Sequence, residues 1–279
     1  MSEIPLRKSI PIIGAISCGK SLFLDSLLGL DLLEIKSTTS SKFVCIIRHN
    51  NNLTSPIFYH IKLKESGKDT KTGMTEYKAI KDGEVIEGNE NIKEKIKQIN
   101  QEQKNIDDNE IKYDELFYIL EIKINYIKNE ELLNNYDFYD IPGLDEYITG
   151  DEYKKKNDDS DDENNNNVED KNKRFKYIDN LFKYFRSRID FGVFMLNSES
   201  AYANSSNDVI ANVSNILKPK KIKNYLIILN KIDRKSNQDE ACKEVKSILV
   251  NELIDQINLV DNTFISLDSR QIKHQNLLK

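Results

Sequence analysis

The sequence contains little cysteine or histidine, and it lacks any long apolar run. Its three cysteines, Cys18, Cys45 and Cys242, lie far apart with no CxxC pair, and there are only three histidines. This distribution indicates a reducing compartment and a chain without structural zinc. No apolar stretch approaches the ~20 residues that cross a bilayer, and the N-terminus has no apolar signal-peptide segment. We therefore expect a cytoplasmic protein without a transmembrane segment, and peripheral contact with a membrane stays open.

Strong charge of one sign is also missing. Charged residues make up 31% of the chain and the formal net charge is −5. A mildly acidic chain has no general attraction for nucleic acid or anionic lipid, so we expect no nucleic-acid partner. With 279 residues and a mass of 32.4 kDa, the chain can bury one good core. The simplest organisation is a single domain, 1–279, with insertions.

Residues 14–21 match the phosphate-binding pattern GxxxxGK followed by serine or threonine. The apolar run 10–13 predicts a buried strand before the pattern. Leucine and phenylalanine at helical spacing predict a helix after it, ending at Gly29. A strand that turns tightly into a helix directs backbone N–H groups and the positive end of the helix dipole at one point, which suits a phosphate. The residues expected at the phosphates are Gly14, Ser17, Cys18, Gly19, Lys20, Ser21 and Leu22.

Two of these side chains have distinct expected tasks. Lys20 is placed to reach the β- and γ-phosphates of a nucleoside triphosphate, and Ser21 is placed to hold Mg²⁺. Cys18 could be an oxidation site, but a small side chain that fills the loop is the favoured interpretation. The sequence therefore predicts that the chain binds a nucleoside triphosphate.

A second motif indicates which base is bound. An apolar strand at 224–229 leads into Asn230-Lys231-Ile232-Asp233, the NKxD pattern of guanine-specific loops. The Asp233 carboxylate can accept hydrogen bonds from N1–H and the 2-amino group of guanine. Adenine lacks that donor pair and would leave the carboxylate unpaired. Asn230 is expected to tie this loop to the phosphate loop, and the stem of Lys231 is expected to lie over the base. The motif predicts GTP as the nucleotide.

A third motif lies between the first two. A predicted strand at 136–139 ends in Asp140-Ile141-Pro142-Gly143, the DxPG form of the DxxG pattern. Asp140 is expected to hold Mg²⁺ through a water. The Gly143 N–H is expected to meet the γ-phosphate at a place where a side chain would collide. An ordinary Pro-Gly turn is the alternative for this motif alone. The order of the three motifs on strand ends favours a guanine-nucleotide site.

Strand and helix patterns alternate along the chain, which predicts the α/β fold of a P-loop GTPase domain: a mostly parallel central sheet with helices on both faces. Residues 43–49 and 56–63 are predicted to be neighbouring strands joined by an Asn-rich turn. The segment 81–83, Lys-Asp-Gly, predicts a hairpin turn between two short strands. Further predicted elements are a helix at 91–103 with Ile92, Ile96 and Ile99 inward, a strand at 116–124, a helix at 174–189, a strand at 191–196, a helix at 238–257 and a strand at 263–267.

Residues 150–172 differ in kind, because they are rich in lysine, aspartate and asparagine and have no apolar period. This composition predicts disorder. The tract could be an acidic docking segment or a tolerated loop insertion, and insertion is favoured because loops lengthen at little thermodynamic cost.

The segment 198–208 and its surroundings resemble the G domains of the dynamin superfamily. Ala203-Asn204-Ser205 precedes a predicted helix that ends near Pro219, and the Asn230 loop follows. The enlarged stretch between the phosphate loop and DxPG is similar to that group as well. By this resemblance Ser17 matches the family's serine that helps to hold a charge-compensating cation. The resemblance implies a dynamin-like GTPase domain that uses GTP and Mg²⁺ and could form a homodimer across the nucleotide face.

The chain also departs from the family pattern at the water-positioning residue. Many dynamins carry a glutamine in the phosphate loop that positions the attacking water, and Ile16 occupies that place. Isoleucine cannot orient a water by hydrogen bonding, so hydrolysis must recruit another group. A dimer partner could supply it.

Two further parts of the expected site rest on looser matches. The first-switch hydroxyl that completes the Mg²⁺ shell is expected to be Thr39 or Ser41, with Thr38 and Ser40 as neighbours. By the resemblance, Asp268 and Ser269 lie in the last guanine loop. The expected catalytic set is then Ser17, Lys20, Thr39 and Ser41, and the expected Mg²⁺ ligands are Ser21, Thr39, Ser41 and Asp140.

The length of the chain leaves no room for the stalk segments of dynamins, so membrane remodelling is not expected from the resemblance. The expected function is hydrolysis of GTP to GDP and phosphate. The alternative is a GTP-regulated binding module with little or no hydrolysis, in which the γ-phosphate orders the switches and exposes a partner surface.

Overall fold

The computed structural model describes residues 2–33, 43–103, 110–144, 176–198, 213, 215–216, 225–231 and 243, and the backbone of 264–267. The strands within these residues are β1 (Glu3–Ile4), β2 (Lys8–Gly14), β3 (Val44–His49), β4 (Ile57–Lys68), β5 (Thr75–Glu87), β6 (Phe117–Ile122), β7 (Tyr136–Asp140), β8 (Gly192–Asn197), β9 (Tyr225–Asn230) and β10 (Phe264–Leu267). The helices are α1 (Lys20–Leu28), α2 (Asn89–Gln103), α3 (Glu130–Asn135) and α4 (176–182), with 3-10 turns at Tyr113–Glu115 and Arg186–Arg188.

These strands form one sheet in the order β1-β5-β4-β6-β3-β7-β2-β8-β9-β10. From β7 to β10 neighbouring strands run parallel, so the strands that lead into the three motifs end at the same edge. The other half is mixed, because β3 runs antiparallel to β7 and β4 runs antiparallel to both of its neighbours. The predicted α/β fold is confirmed, with the motifs on its parallel half.

Helices cover both faces of the sheet, as predicted. On one face α1, α2 and α3 pack over a cluster that includes Ile12, with the predicted inward residues Ile92, Ile96 and Ile99 of α2 all buried. On the other face α4 packs over a second cluster that includes Ile13. Successive residues of β2 therefore point into two different cores, which is why this strand is an apolar run rather than an alternating one.

The hairpin turn predicted at 81–83 is wrong, because β5 continues through it as one strand paired with β4. The register moves from Tyr59 opposite Val85 to Ile61 opposite Lys81, so four positions of β5 face two of β4. The extra residues form a bulge, a device that bends a strand without ending it. A Lys-Asp-Gly sequence suits the irregular backbone of a bulge as well as that of a hairpin turn. The sequence alone therefore did not distinguish the two.

The predicted pairing of 43–49 with 56–63 is also wrong. Both strands are present as β3 and β4, and the chain does turn after β3, where Asn52 N–H donates to Asn50 Oδ1 at 3.1 Å. However, β6 lies between them, parallel to β3 and antiparallel to β4. A strand that arrives about 55 residues later in the chain can take this place because β6 is apolar on both faces.

The helix predicted at 174–189 ends earlier in the structure. Within the described residues α4 covers 176–182, and a turn and the 3-10 segment Arg186–Arg188 follow. Tyr177 and Leu181 are buried, and Tyr184 is partly buried against the same core. Ile189 then forms a bridge to Ser9 of β2, which requires extended backbone and so ends the helical segment.

The sheet is strongly curved around the core beneath α4. Ile4 pairs with Ala79 of β5, whereas Lys8 pairs with Tyr136 of β7. The four residues from Ile4 to Lys8 reach at most about 14 Å, yet β1 and β2 are six strand spacings apart in the sheet order, which in a flat sheet would require roughly 29 Å. The sheet must therefore curl so that β5 approaches the start of β2. Arg188 spans the same gap, since its Nη2 donates to the carbonyl of Tyr77 at 2.6 Å.

The N-terminal segment between β1 and β2 is fixed by a buried ion pair. Arg48 donates to Asp137 through Nε (3.0 Å) and Nη2 (2.6 Å), and the same Nη2 donates to the carbonyl of Pro5 at 3.0 Å. Both charged side chains are buried. A two-point guanidinium–carboxylate contact of this kind satisfies the charges that burial would otherwise penalise.

Several predicted elements lie outside the described residues, namely the tract 150–172, the helix 238–257 and most of the segment 198–224. Among the residues that the structure does describe, no helix is both long and apolar enough to cross a membrane.

Candidate functional site

The phosphate loop joins β2 directly to α1, as the motif predicted. β2 ends at Gly14 and α1 begins at Lys20. Ser17 (φ 56°) and Gly19 (φ 98°) have left-handed backbone, which turns the chain sharply before the helix. A Cβ at position 19 would lie 2.2 Å from Nδ2 of Asn230, so glycine is required there by space as well as by backbone. The first turn of α1 consequently directs its N–H groups towards the loop.

Lys20 lies against the loop that it is expected to serve. Its Nζ donates to the carbonyls of Gly14 at 3.0 Å and Ala15 at 2.9 Å, and the residue is buried. The ammonium group thus already sits where phosphate oxygens would approach the loop. Binding of phosphate exchanges two neutral carbonyl acceptors for charged ones, which make stronger hydrogen bonds.

Ser21 and Asp140 are brought together although 119 positions separate them in the sequence. The parallel pairing of β2 with β7 sets Ile12 opposite Asp140, so the end of β7 lies beside the phosphate loop. The Ser21 hydroxyl donates to Oδ2 of Asp140 at 2.7 Å. A hydroxyl and a carboxylate in contact at a phosphate-binding loop are oxygen ligands of the type that Mg²⁺ selects, so these residues fit that ion.

The surroundings of the Ser21–Asp140 contact are negatively charged. Cys45 of β3 lies opposite Asp140 in the ladder and is buried. Burial, followed by the carboxylates of Asp140 and Asp25, raises the pKa of the Cys45 thiol well above its usual value. The thiol therefore stays protonated and unreactive, and the anionic surroundings favour a cation near Asp140.

The DxPG loop lies directly on the phosphate loop. The Leu144 N–H donates to the Gly14 carbonyl at 3.4 Å. A Cβ at Gly143 would lie 2.7 Å from Cγ1 and 2.9 Å from Cα of Ile16. A side chain at position 143 would therefore collide with Ile16. The predicted collision with the γ-phosphate stays a prediction.

The base loop is tied to the phosphate loop as predicted. Asn230 closes β9, and its Nδ2 donates to the Cys18 carbonyl at 3.0 Å. Lys231 has left-handed backbone (φ 60°), which turns the chain out of the strand. The structure thus joins the first and last motifs through one buried amide.

Ser198 braces the base loop and was not singled out from the sequence as a site residue. Its N–H donates to the Asn230 carbonyl at 3.0 Å, and its hydroxyl donates to the Lys231 carbonyl at 2.8 Å. The only sequence signal was a polar residue directly after a buried strand that ends at the motif edge.

Asp25 also supports the site without having been predicted. It lies in α1 one turn beyond Ser21 and is 1% exposed. Its Oδ1 accepts hydrogen bonds from the N–H groups of Leu33 at 3.2 Å and Leu32 at 3.4 Å. This carboxylate fixes the chain just before residues 34–42. A charge within the buried stripe of α1 was the available signal.

Other predicted site residues lie outside the described part of the chain: Thr39, Ser41, Asp233, Asp268 and Ser269. The residues that the structure brings together around the phosphate loop are Gly14, Ser17, Cys18, Gly19, Lys20, Ser21, Leu22, Asp140, Gly143, Asn230 and Lys231.

Comparison with known families agrees with this arrangement. The model of the dynamin family matches residues 10–232, which include the phosphate loop and the DxPG motif in full and the NKxD motif as far as Ile232. The chain belongs to the dynamin family. Among curated proteins, no match to the sequence was found.

Solved structures of GTPases are similar to the chain at low identity. One chain of an oligomerised bacterial dynamin pair, described as sensing and tethering membranes, is 17% identical with a TM-score of 0.46; the match covers 97% of this chain and 34% of that chain. Era of Aquifex aeolicus bound to GDP and AlF₄⁻ is 10% identical with a TM-score of 0.40, over 97% and 54% of the two chains. Era with MgGDPNP and 16S ribosomal RNA is 12% identical, with a TM-score of 0.40 over 98% and 55%.

The chain thus spans from about a third to about half of the length of these solved chains. Family membership, together with the phosphate loop, the DxPG loop and the tethered Asn230, makes this dynamin-family chain a GTP-binding G domain with the P-loop GTPase fold.

Proposed function

We propose that this dynamin-family G domain hydrolyses GTP to GDP and phosphate with the help of Mg²⁺. The observation that carries the proposal is the contact between Ser21 and Asp140 at 2.7 Å beside Lys20. In GTPases a hydroxyl, a carboxylate and a lysine at these positions hold the metal and the phosphates. Mg²⁺, when bound, neutralises charge that develops on the transferred phosphoryl group.

Each residue then has one task. Lys20 and the amides of 17–22 bind the β- and γ-phosphates, Ser21 and either Thr39 or Ser41 hold the metal, and Asp140 supports it. In hydrolysis a water attacks the γ-phosphorus in line as the bond to the bridging oxygen breaks, leaving GDP and phosphate. Charge on the phosphoryl group is stabilised by Lys20 and by a cation held near Ser17. The guanine is bound by Asn230, Lys231, Asp233, Asp268 and Ser269.

Assembly is part of the proposal because of Ile16. An isoleucine at the water-positioning place cannot hydrogen-bond the attacking water. The residue after Gly143 is Leu144, which is also apolar and is buried. A homodimer through the nucleotide face would supply the missing contact from the partner copy.

The second candidate is a GTP-regulated binding module with little hydrolysis, and the same two apolar residues favour it. For either candidate we propose a cytoplasmic protein organised as one domain, 1–279, in which 150–172 is an inserted tract. No nucleic-acid partner is proposed.

Removing the Ser21 hydroxyl should slow the hydrolysis of GTP in Mg²⁺. We expect Ser21→Ala to lower the single-turnover rate of GTP hydrolysis in Mg²⁺ by about 10²-fold, because one of the groups that stabilise the transferred phosphoryl is lost. The rate is measured as phosphate released per bound GTP.

Ser26→Ala is the matched control. Ser26 lies on the same helix and its hydroxyl donates to the Leu22 carbonyl at 2.7 Å, away from Asp140. Equal loss of rate in the two variants would show that Ser21 acts only through the stability of α1, against the proposal.

A further inference from the structure

Ile16 is packed against the backbone of the DxPG loop. The position of a Cβ on Gly143 lies 2.7 Å from Cγ1, 2.9 Å from Cα and 3.1 Å from N of Ile16. These separations are below ordinary van der Waals contact, so no atom larger than hydrogen fits between the two residues on that side. Ile16 is also partly exposed.

The same loop is held at a second point. Gly14 offers its carbonyl to Lys20 Nζ at 3.0 Å and to the Leu144 N–H at 3.4 Å. Leu144 is buried. The DxPG loop and the lysine therefore converge on the Gly14 carbonyl of the phosphate loop, and Ile16 lies beside Gly143 of the DxPG loop.

The two nucleotides make different demands on these contacts. GDP and GTP both draw Lys20 away from the loop carbonyls, so that cost is common to both and cancels in a ratio of affinities. Only GTP brings a γ-phosphate to the Gly143 N–H, and in GTPases the γ-phosphate rearranges the switch loop that receives it. We expect this rearrangement to move the DxPG loop relative to residue 16. A contact that opposes this movement weakens GTP binding and leaves GDP binding unaffected, because a ligand shifts an equilibrium only through differential affinity.

We propose that Ile16 is a specificity-determining residue for the terminal phosphate: its γ-carbon holds the DxPG loop against the phosphate loop and so lowers the affinity for GTP relative to GDP. The inference rests on the proposed guanine-nucleotide function of the same site. It assigns to Ile16 a task other than the positioning of water, namely control over which nucleotide the site retains.

The test measures the affinities of GDP and of GTPγS, which resists hydrolysis, for the full chain in Mg²⁺ by calorimetry. We expect Ile16→Ala to raise the ratio of GTPγS to GDP affinity by at least about fivefold, the lower end of typical coupling between two sites. Ile16→Val keeps a γ-carbon facing Gly143 and should leave the ratio within about twofold of the wild type. Ile16→Gly removes the whole side chain and should shift the ratio in the same direction as alanine.

Ile57→Ala controls for the loss of any partly buried isoleucine, since Ile57 packs against the core at the opposite end of the sheet. Its ratio should equal that of the wild type. An unchanged ratio in both Ile16→Ala and Ile16→Gly, with both nucleotides still bound, would overturn the inference alone. A wild-type chain that binds neither nucleotide would overturn the proposed function together with the inference.

Discussion

Asp233→Asn is expected to convert the preference of the site from guanine to xanthine nucleotides, with the ratio of GTP to XTP affinity falling by about 10⁴-fold. In the proposed complex the Asp233 carboxylate accepts hydrogen bonds from N1–H and the 2-amino group of guanine. Xanthine carries a carbonyl oxygen in place of the 2-amino group. A carboxylate repels this oxygen, whereas the amide of asparagine can donate a hydrogen bond to it. A pocket whose polar groups all pair with guanine leaves some of them unpaired when xanthine is bound, and unpaired buried groups lower the affinity.

The first two residues of the NKxD motif, Asn230 and Lys231, are fixed in the structure. Asn230 is anchored to the Cys18 carbonyl and Lys231 to Ser198, so the base loop starts from a fixed point beside the phosphates. Competition binding of GTP, XTP and ATP to both forms is the measurement. Equal loss of GTP and XTP in Asp233→Asn would show that Asp233 supports the loop without contacting the base.

Lys20→Ala is expected to lower the single-turnover rate of GTP hydrolysis by about 10²- to 10³-fold, because a positive group facing the developing phosphoryl charge is removed. Affinity for GTP should fall as well, since the ammonium is positioned at the loop carbonyls where the phosphates bind. Lys20→Arg should not restore the rate, because a planar guanidinium cannot replace a compact ammonium in so narrow a loop.

A lysine outside the site provides the control for Lys20. Lys62 forms an ion pair with Asp82 at 3.0 Å on the antiparallel half of the sheet. Lys62→Ala should leave both the rate and the affinity unchanged. If Lys20→Ala retained the wild-type rate, the phosphate loop would not be the site of the reaction.

The sequence was sufficient to locate the strands that carry the motifs. β2 and β9 are largely apolar runs that end in Gly14 and Asn230, and β7 is a tyrosine- and phenylalanine-containing strand that ends in Asp140. The ends of neighbouring parallel strands lie at one edge of the sheet. The contact between Ser21 and Asp140 follows from that rule together with the motifs. Apolar spacing likewise predicted the buried face of α2 and the burial of β2.

The pairing of strands outside the parallel half of the sheet could not be predicted from the sequence. Whether β4 pairs with β3 or with β6 depends on contacts between segments far apart in the chain, and all three strands have apolar faces. Lys81-Asp82-Gly83 fits a bulge as well as a turn, because both require irregular backbone. The support given by Asp25 and Ser198 was missed because each acts on backbone N–H or carbonyl groups, which carry no sequence signature.

Single-turnover GTP hydrolysis, followed as phosphate release in Mg²⁺ over a series of protein concentrations with Lys20→Ala as the blank, tests the central claim most directly. The account predicts that GDP and phosphate form and that the rate per molecule rises with concentration, as two copies meet across the nucleotide face. GTP that is bound tightly yet recovered intact at every concentration would contradict the account and identify the chain as a nucleotide-gated binding module.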